Sequence, residues 1–451
     1  MPVKNILVIG GGISGLSVLH YLKKKYADQS DIHIQLFEKN PSPGGTIHTV
    51  REDNWLFEYG PNGFLDSKLS IAELTRDLGL ENELIEASPQ TQKRFLLINN
   101  QLHAIPLDFI SLSKFTPLSF LDKLRIPLEV FLPRVENPDE TVYEFGTRHF
   151  GKNFTNVFLD PVVQGIYAGD VRRLHLRSIF PKIYEVEQKY GSILKGLICL
   201  RRKNPLGGGR LVSFKKGMSQ LIERLFERYK DSILLNREVS LISPEQGRFS
   251  VHSNQKVYDA NELFLCIPSY YAAIVTKNLS EALSTALNTI PYVSIAVVGL
   301  VYKKDSFERL PAGFGYLTPA TEKREVLGVL FDSQIFPQRF GAETEQFRIM
   351  IGGAHHPQIV SKTEKDLLDI AQNEIRSILK FKENEKPIHS FVIVWPKGIP
   401  QYNVEEVLVR ADITSEIKKI RNFHIVSNYL TGVSLDDCVR NAKKAVEESH
   451  L

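Results

Sequence analysis

Cysteine is scarce in this chain, with Cys199, Cys266 and Cys438 the three in 451 residues. They show no metal or redox spacing, so the chain reads as reduced and intracellular. The twelve histidines form no ligand pattern either. Their single adjacent pair, His355-His356, suits a turn or the surface better than a metal site. No apolar stretch approaches a membrane span, and there is no internal repeat or low-complexity tract. The first strand begins within a few residues of Met1, which leaves no room for a targeting peptide. Charge of one sign is also lacking: 56 Lys and Arg against 52 Asp and Glu leave a net +4, too dispersed for a nucleic-acid partner. A small substrate bearing carboxylates fits such a surface better.

What is present is a large α/β enzyme pattern. The length exceeds what one hydrophobic core serves, so two or more domains are expected, and 43% hydrophobic with 24% charged residues is ordinary for a globular chain. Residues Ile6 to Ile9 form an apolar run that passes directly into Gly10-x-Gly12-x-x-Gly15, and Glu38 closes a second strand, Ile32 to Phe37. That is the fingerprint of a dinucleotide on a βαβ unit. Gly10 permits the turn, Gly12 lets the backbone approach a pyrophosphate, and Gly15 allows close helix–strand packing. The helix start stabilises the anion and the Glu38 carboxylate is placed for ribose hydroxyls. Beyond Glu38 and Lys39, the Asn40-Pro-Ser-Pro-Gly44-Gly45-Thr46 loop resembles the extension found in FAD proteins of the glutathione-reductase-like type.

Composition shifts divide the chain. Residues 1–80, 205–265 and 395–451 are expected to form a discontinuous FAD-binding Rossmann domain, and 81–100 with 266–394 a mixed-sheet substrate domain. A helical subdomain is expected over 101–204, with long amphipathic runs at Thr141 to Phe158 and Ile183 to Leu200. Strands are expected at Val257 to Cys266, Ser294 to Tyr302, Glu325 to Phe331, Phe347 to Gly352 and Ile388 to Trp395, with a helix from Thr363 to Leu379. Between Pro106 and Pro133 the helical pattern carries Leu107, Phe109, Ile110, Leu112, Phe115, Leu118, Phe120, Leu121, Leu124, Ile126, Leu128, Val130, Phe131 and Leu132 beside Lys114, Lys123 and Arg125. Packing inside the helical subdomain explains this stretch better than a membrane interface, which stays open as the second reading.

Several segments together resemble the oxygen-dependent porphyrinogen oxidases of haem biosynthesis, over essentially the whole chain. They are Glu58-Tyr-Gly60-Pro61, Asp160 to Asp170 with its Gly165-Ile-Tyr-Ala168-Gly169 core, Gly313-Phe314-Gly-Tyr-Leu317, Ile399-Pro-Gln-Tyr402 and Asn428 to Cys438. The phosphate loop and the last block are shared with other flavin amine-oxidase relatives; the Gly165, Phe314 and Tyr402 segments are more specific to the porphyrinogen branch. Departures occur at Ser427, where the family often has Gly, and at Lys216-Gly217 and Glu405-Glu406.

The resemblance implies non-covalent FAD held by Gly10, Gly12, Ile13, Ser14, Gly15, Glu38, Lys39, Gly44, Gly45, Thr46, Gly60, Pro61, Asn62, Val239, Asn428, Gly432, Val433 and Ser434. It implies a porphyrinogen substrate, with Arg94 pairing a propionate. Phe314, Leu317 and Leu327 would form an apolar clamp, with Gly165 and Ala168 on the opposite wall. The cofactor would carry the redox chemistry, O2 would reoxidise it with release of H2O2, and no catalytic side chain is implied. Protoporphyrinogen IX is the expected substrate, because the apolar set suits its vinyl side and a buried unpaired carboxylate is costly. Coproporphyrinogen III is the alternative, served by Arg201, Arg202, Lys203 and Arg210 if the preceding loops fold over the cavity. Another flavin amine-oxidase-type enzyme or a non-enzymatic relative that chaperones lipidated GTPases also stays open. The expected location is cytoplasmic, with peripheral contact at the inner membrane and hand-over of product to the next haem-pathway enzyme.

Overall fold

A computed structural model describes residues 3–52, 55–133, 135–203, 209–382 and 385–449, with the backbone alone at 201–203. Its first layer is a five-stranded, wholly parallel sheet in the order Ile233–Leu234, Ile32–Phe37, Lys4–Ile9, Glu262–Leu265, Phe423–Ile425. The central strand is in register with both neighbours, Ile6 facing Ile34 on one side and Glu262 on the other. Helices cover one face, where Leu16, Leu19 and Leu22 of the first helix, Ile13–Lys25, pack with Val439, Ala442 and Val446 of the last, Leu435–Glu447. The other face is covered by a three-stranded antiparallel meander, Val239–Glu245, Arg248–Ser253 and Lys256–Ala260. The single strand expected at Val257 to Cys266 is therefore two: Asn261 separates the last meander strand from the one that returns to the parallel sheet.

The second layer is a seven-stranded mixed sheet ordered His389–Pro400, Tyr292–Lys303, Thr344–Gly352, Val326–Leu330, Gly315–Leu317, Phe95–Ile98, Gln101–Ala104. Only the Gly315–Leu317/Phe95–Ile98 contact is parallel. Helix Glu364–Ile378 seals one face through Leu367, Ala371 and Ile375, and it starts where Thr363 and Asp366 cap each other reciprocally. The sheet outruns two boundaries drawn from composition: the 95–104 hairpin carries it past 100, and His389–Pro400 carries it past 394.

The helical region lies against this sheet, but its two long runs are broken. Val142–Phe150 ends at Gly151 with φ of +92°, and Pro181–Tyr190 ends at Gly191 with φ of +69° before Ile193–Lys203. Glycine adopts that left-handed backbone without steric cost, so each helix stops there although the apolar periodicity continues. After Gly151 the chain passes through Lys152–Phe154 and a wider π-type turn, Thr155–Leu159, into the helix Asp160–Tyr167.

Candidate active site

The glycine loop has the geometry its spacing predicts. Gly10 has φ of +105°, and a Cβ there would stand 2.5 Å from the Cys266 carbonyl oxygen; one on Gly15 would overlap the Gly10 carbonyl oxygen. A Cβ on Gly12 would meet nothing within 4 Å. Gly12 is also the N-cap of the first helix and supplies no side-chain cap, so the N–H groups of that turn face open space. The second loop lies on the first: the Gly44 N–H donates to the Gly11 carbonyl at 2.9 Å, and Gly45 packs against the Gly12 Cα. Ile13 and the buried Ser14 begin the helix.

Glu38 does more than the ribose role read from its position. Its carboxylate is 6% exposed and accepts the Gly11 N–H at 2.6 Å and the Asn40 N–H at 2.8 Å, tying the two loops together. Each oxygen keeps a second lone pair for a hydroxyl. Lys39 is exposed, with its ammonium 3.9 Å from the centre of the Tyr271 ring. Val239 opens the meander and packs in the core that includes Phe37.

Gly60 and Asn62, which flank Pro61, are held by a buried charge cluster that the sequence does not announce. Gly60 packs against the Thr46 carbonyl, and its own carbonyl accepts Arg348 Nη1 at 2.9 Å. Asn62 Nδ2 donates to Asp332 at 3.2 Å. Arg348 lies 3.6 Å from Asp332, and Arg339 lies 3.4 Å from Glu58. Burial pushes both carboxyls up, against the pull of the two guanidinium groups. The one signal in the sequence is Arg348 within the otherwise apolar run Phe347 to Gly352.

Two helix N-termini meet at this site. Ser434 and Asp437 form a complete capping box on the last helix, which packs against the first through Val439 and Ala442. The Cys438 thiol is buried and pushed up to about 11, an inert environment rather than a reactive one. Tyr402 fixes the preceding turn: its hydroxyl donates to the Asn428 carbonyl and accepts the Gly432 N–H at 2.8 Å. Burial pushes the Tyr402 hydroxyl up, which keeps it neutral and able to do both. Val433 packs in the same apolar cluster as Leu317, so the helix start adjoins the candidate substrate wall.

The proposed substrate residues come together in three pairs. The exposed Arg94 guanidinium lies 4.9 Å from the centre of the Phe314 ring, whose N–H donates to the Lys93 carbonyl. Gly165 faces Leu317 closely enough that a Cβ would stand 2.8 Å from Leu317 Cδ2. Ala168, with φ of +49°, and Leu327 share a small buried cluster with Val293. Leu327 is 2% exposed, so it backs the wall rather than facing a ligand. Arg210 is an exposed side chain that pairs with Asp66 at 2.9 Å and Glu86 at 2.5 Å. The side chains of Arg201, Arg202 and Lys203 lie outside the described residues.

Open space at Gly12, an uncapped helix start and free acceptor positions on Glu38 suit a dinucleotide. Among the described residues no cluster of His, Cys, Asp and Glu is arranged for a metal ion.

Comparison with known proteins agrees with this geometry. The model of the family of flavin containing amine oxidoreductases matches residues 13–448. The chain is 28% identical to chloroplastic protoporphyrinogen oxidase of Nicotiana tabacum, across 98% of this chain and 84% of the relative. It is 26% identical to coproporphyrinogen III oxidase of Bacillus subtilis, across 99% and 98% of the two chains. A crystal structure from Exiguobacterium sp. 255-15, provisionally named a protoporphyrinogen oxidase, superposes with a TM-score of 0.85 at 23% identity, over 99% of each chain, and shows the shared fold.

Proposed function

Because the chain belongs to the family of flavin containing amine oxidoreductases, we propose that it oxidises a porphyrinogen to the porphyrin in haem biosynthesis, with O2 as acceptor and H2O2 as by-product. FAD supplies the two-electron acceptor when bound. This chain's residues bind and orient: the Gly10–Gly15 loop and the Gly44–Thr46 loop take the pyrophosphate, Glu38 takes ribose hydroxyls, and the capped start of the last helix favours negative charge nearby. Cys266 and Cys438, the cysteines beside the two loops, are both buried and do not suit a covalent link, so the cofactor is held non-covalently. The relatives named for porphyrinogen oxidation support the substrate class.

The observation that carries the reading is the Arg94–Phe314 pair beside the Gly165–Leu317 wall. The Arg94 guanidinium can pair a carboxylate edge, and Phe314 and Leu317 on the adjoining segment offer apolar surface for the rings of a tetrapyrrole. Protoporphyrinogen IX is favoured, because Arg94 serves one propionate edge and the apolar Phe314 and Leu317 suit the vinyl side. Arg94→Ala should raise KM by roughly 10- to 100-fold, the scale of about 1.5 to 3 kcal/mol for a charged hydrogen bond, with FAD content unchanged. A KM equal to wild type would remove Arg94 from the site.

The reading extends to a peripheral membrane contact on the cytoplasmic side, from which product passes to the next enzyme. Phe109, Ile110, Phe120, Leu121 and Phe131 are each more than 70% exposed, beside Lys114, Lys123 and Arg125. The packed alternative expected from periodicity leaves these five side chains uncovered. Among the described residues no helix is long and apolar enough to cross a membrane. The double substitution Phe120→Ser with Phe131→Ser should abolish co-sedimentation with vesicles containing anionic lipid, while kcat in detergent stays at the wild-type value. Undiminished co-sedimentation would place the contact elsewhere.

A further inference from the structure

All three segments that build the apolar wall continue into one polar cavity. Gly165 lies on the helix that begins at Asp160, Leu317 leads on to Ala320 and Thr321, and Ala354, whose N–H donates to the Ala168 carbonyl at 2.8 Å, is followed by His355. The cavity, about 270 Å³ in volume, is lined by Asn156, Asp160, Arg172, Ala320, Thr321 and His355.

Asp160 is 2% exposed. Its Oδ2 is well satisfied, accepting the Ala320 N–H at 2.7 Å and the Gln164 side-chain amide at 2.8 Å. Its Oδ1 has no partner, and neither has the buried Nε2 of His355. Anchoring the helix to the 320–322 turn requires only Oδ2. Two unpartnered buried atoms on one cavity, both able to bind a proton, are costly to keep and mark a site that exchanges one.

We propose that Asp160 and His355 receive the proton that a pyrrole nitrogen of the substrate loses in each two-electron round. This rests on the porphyrinogen reading above. The hydrogen at a bridging carbon leaves with both electrons of its bond and makes the ring system cationic. Loss of the N–H proton then neutralises it, the N–H electron pair staying on the ring; over three rounds the fourth bridging carbon passes one proton to a ring nitrogen by tautomerisation, so three hydrides and three N–H protons leave and two N–H remain. Reduction of O2 to H2O2 takes two electrons and two hydrogens: one arrives with the electron pair, and the other is this proton, released by the pair through the cavity.

The surroundings suit the task. Burial and the nearby Asp170 hold the Asp160 carboxyl above the usual carboxylate range, opposed by the Ala320 N–H, His355 and Gln164. Arg172, on the same cavity, is the other charged group. Its backbone N–H donates to Asp170, and its guanidinium covers the Tyr143 ring at 4.5 Å.

The test uses FAD-loaded wild type, Asp160→Asn and His355→Gln in anaerobic single turnover with protoporphyrinogen IX, across a pH series. Both variants should slow cofactor reduction by on the order of 10²-fold near neutral pH and flatten its pH dependence. FAD content and the Kd for protoporphyrin IX should stay at wild-type values. An infrared difference spectrum on adding protoporphyrinogen IX should show a protonated-carboxyl band in wild type that is absent in Asp160→Asn. Should Asp160→Asn fail to fold, His355→Gln decides alone, since it removes no bond that anchors the helix. Wild-type rates and pH profiles in the folded variants would overturn this proposal and leave the porphyrinogen reading standing. A wild type that oxidises no porphyrinogen would overturn both.

Discussion

Gly12→Val is expected to give a well-folded, colourless protein. The position tolerates a side chain within the polypeptide itself: its φ of −73° is ordinary, and a Cβ meets nothing within 4 Å. The added methyl groups instead fill the space in front of the helix start, where the pyrophosphate must approach the backbone. Gly15→Ala separates the two roles of the motif. Its Cβ overlaps the Gly10 carbonyl oxygen, so that variant loses stability as well as cofactor. Absorbance of the flavin against protein, read together with the thermal midpoint, distinguishes the outcomes. A yellow Gly12→Val with full flavin content would mean that the cofactor does not approach the chain at this loop.

The second large effect is on stability and lies far from that loop. Glu129 is completely buried and accepts four bonds: Ser192 Oγ at 2.6 Å, the Ile193 N–H at 2.8 Å, the Leu194 N–H at 3.2 Å and His149 Nδ1 at 2.8 Å. The other nitrogen of His149 lies 3.0 Å from Glu187, which Arg148 also pairs at 2.8 Å while reaching Glu140 at 2.7 Å. Glu129→Ala strands these donors in a dry interior and should cost about 3 to 5 kcal/mol. Glu129→Gln should recover part of the loss.

Acid should have a related effect. Burial raises both the Glu129 and Glu187 carboxyls, but the donors around them outweigh it, and both end below the ordinary 4.5. Their contribution is therefore fully present above that value and is lost as pH falls through their folded-state values. Thermal midpoints measured from pH 7 down to pH 3 should fall more steeply in wild type than in Glu129→Ala below about pH 4.5. A variant with the wild-type midpoint at neutral pH would show that the network is not holding the helical region together.

What could be read from the sequence was what depends on neighbours in the chain. The Gly10–Gly15 loop, the strand running into Glu38 and the Ser434–Asp437 start of the last helix each encode their structure within a few residues, and all are present. Apolar periodicity misled at Gly151 and Gly191, because a left-handed glycine stops a helix without interrupting the apolar pattern around it. The stretch from Phe109 to Phe131 divides: Phe115, Leu118 and Ile126 pack in the core of the helical region as their pattern suggests, while Phe109, Ile110, Phe120, Leu121 and Phe131 have the composition of a core and stay exposed. Least legible were features assembled from distant segments, such as the Glu58–Arg339 and Asp332–Arg348 pairs that clamp Gly60, and the double use of Glu38. Charged residues in these places look like surface residues until the fold brings their partners.

Steady-state turnover of the purified protein in air decides whether this flavin fold oxidises a porphyrinogen held by Arg94 against the Phe314 and Leu317 side. Protoporphyrinogen IX and coproporphyrinogen III should be assayed in parallel by porphyrin fluorescence and H2O2. The higher kcat/KM is expected for protoporphyrinogen IX, with one H2O2 formed in each two-electron round. A higher kcat/KM for coproporphyrinogen III would contradict the substrate assignment, and a flavin-loaded protein that turns over neither would contradict the porphyrinogen reading itself.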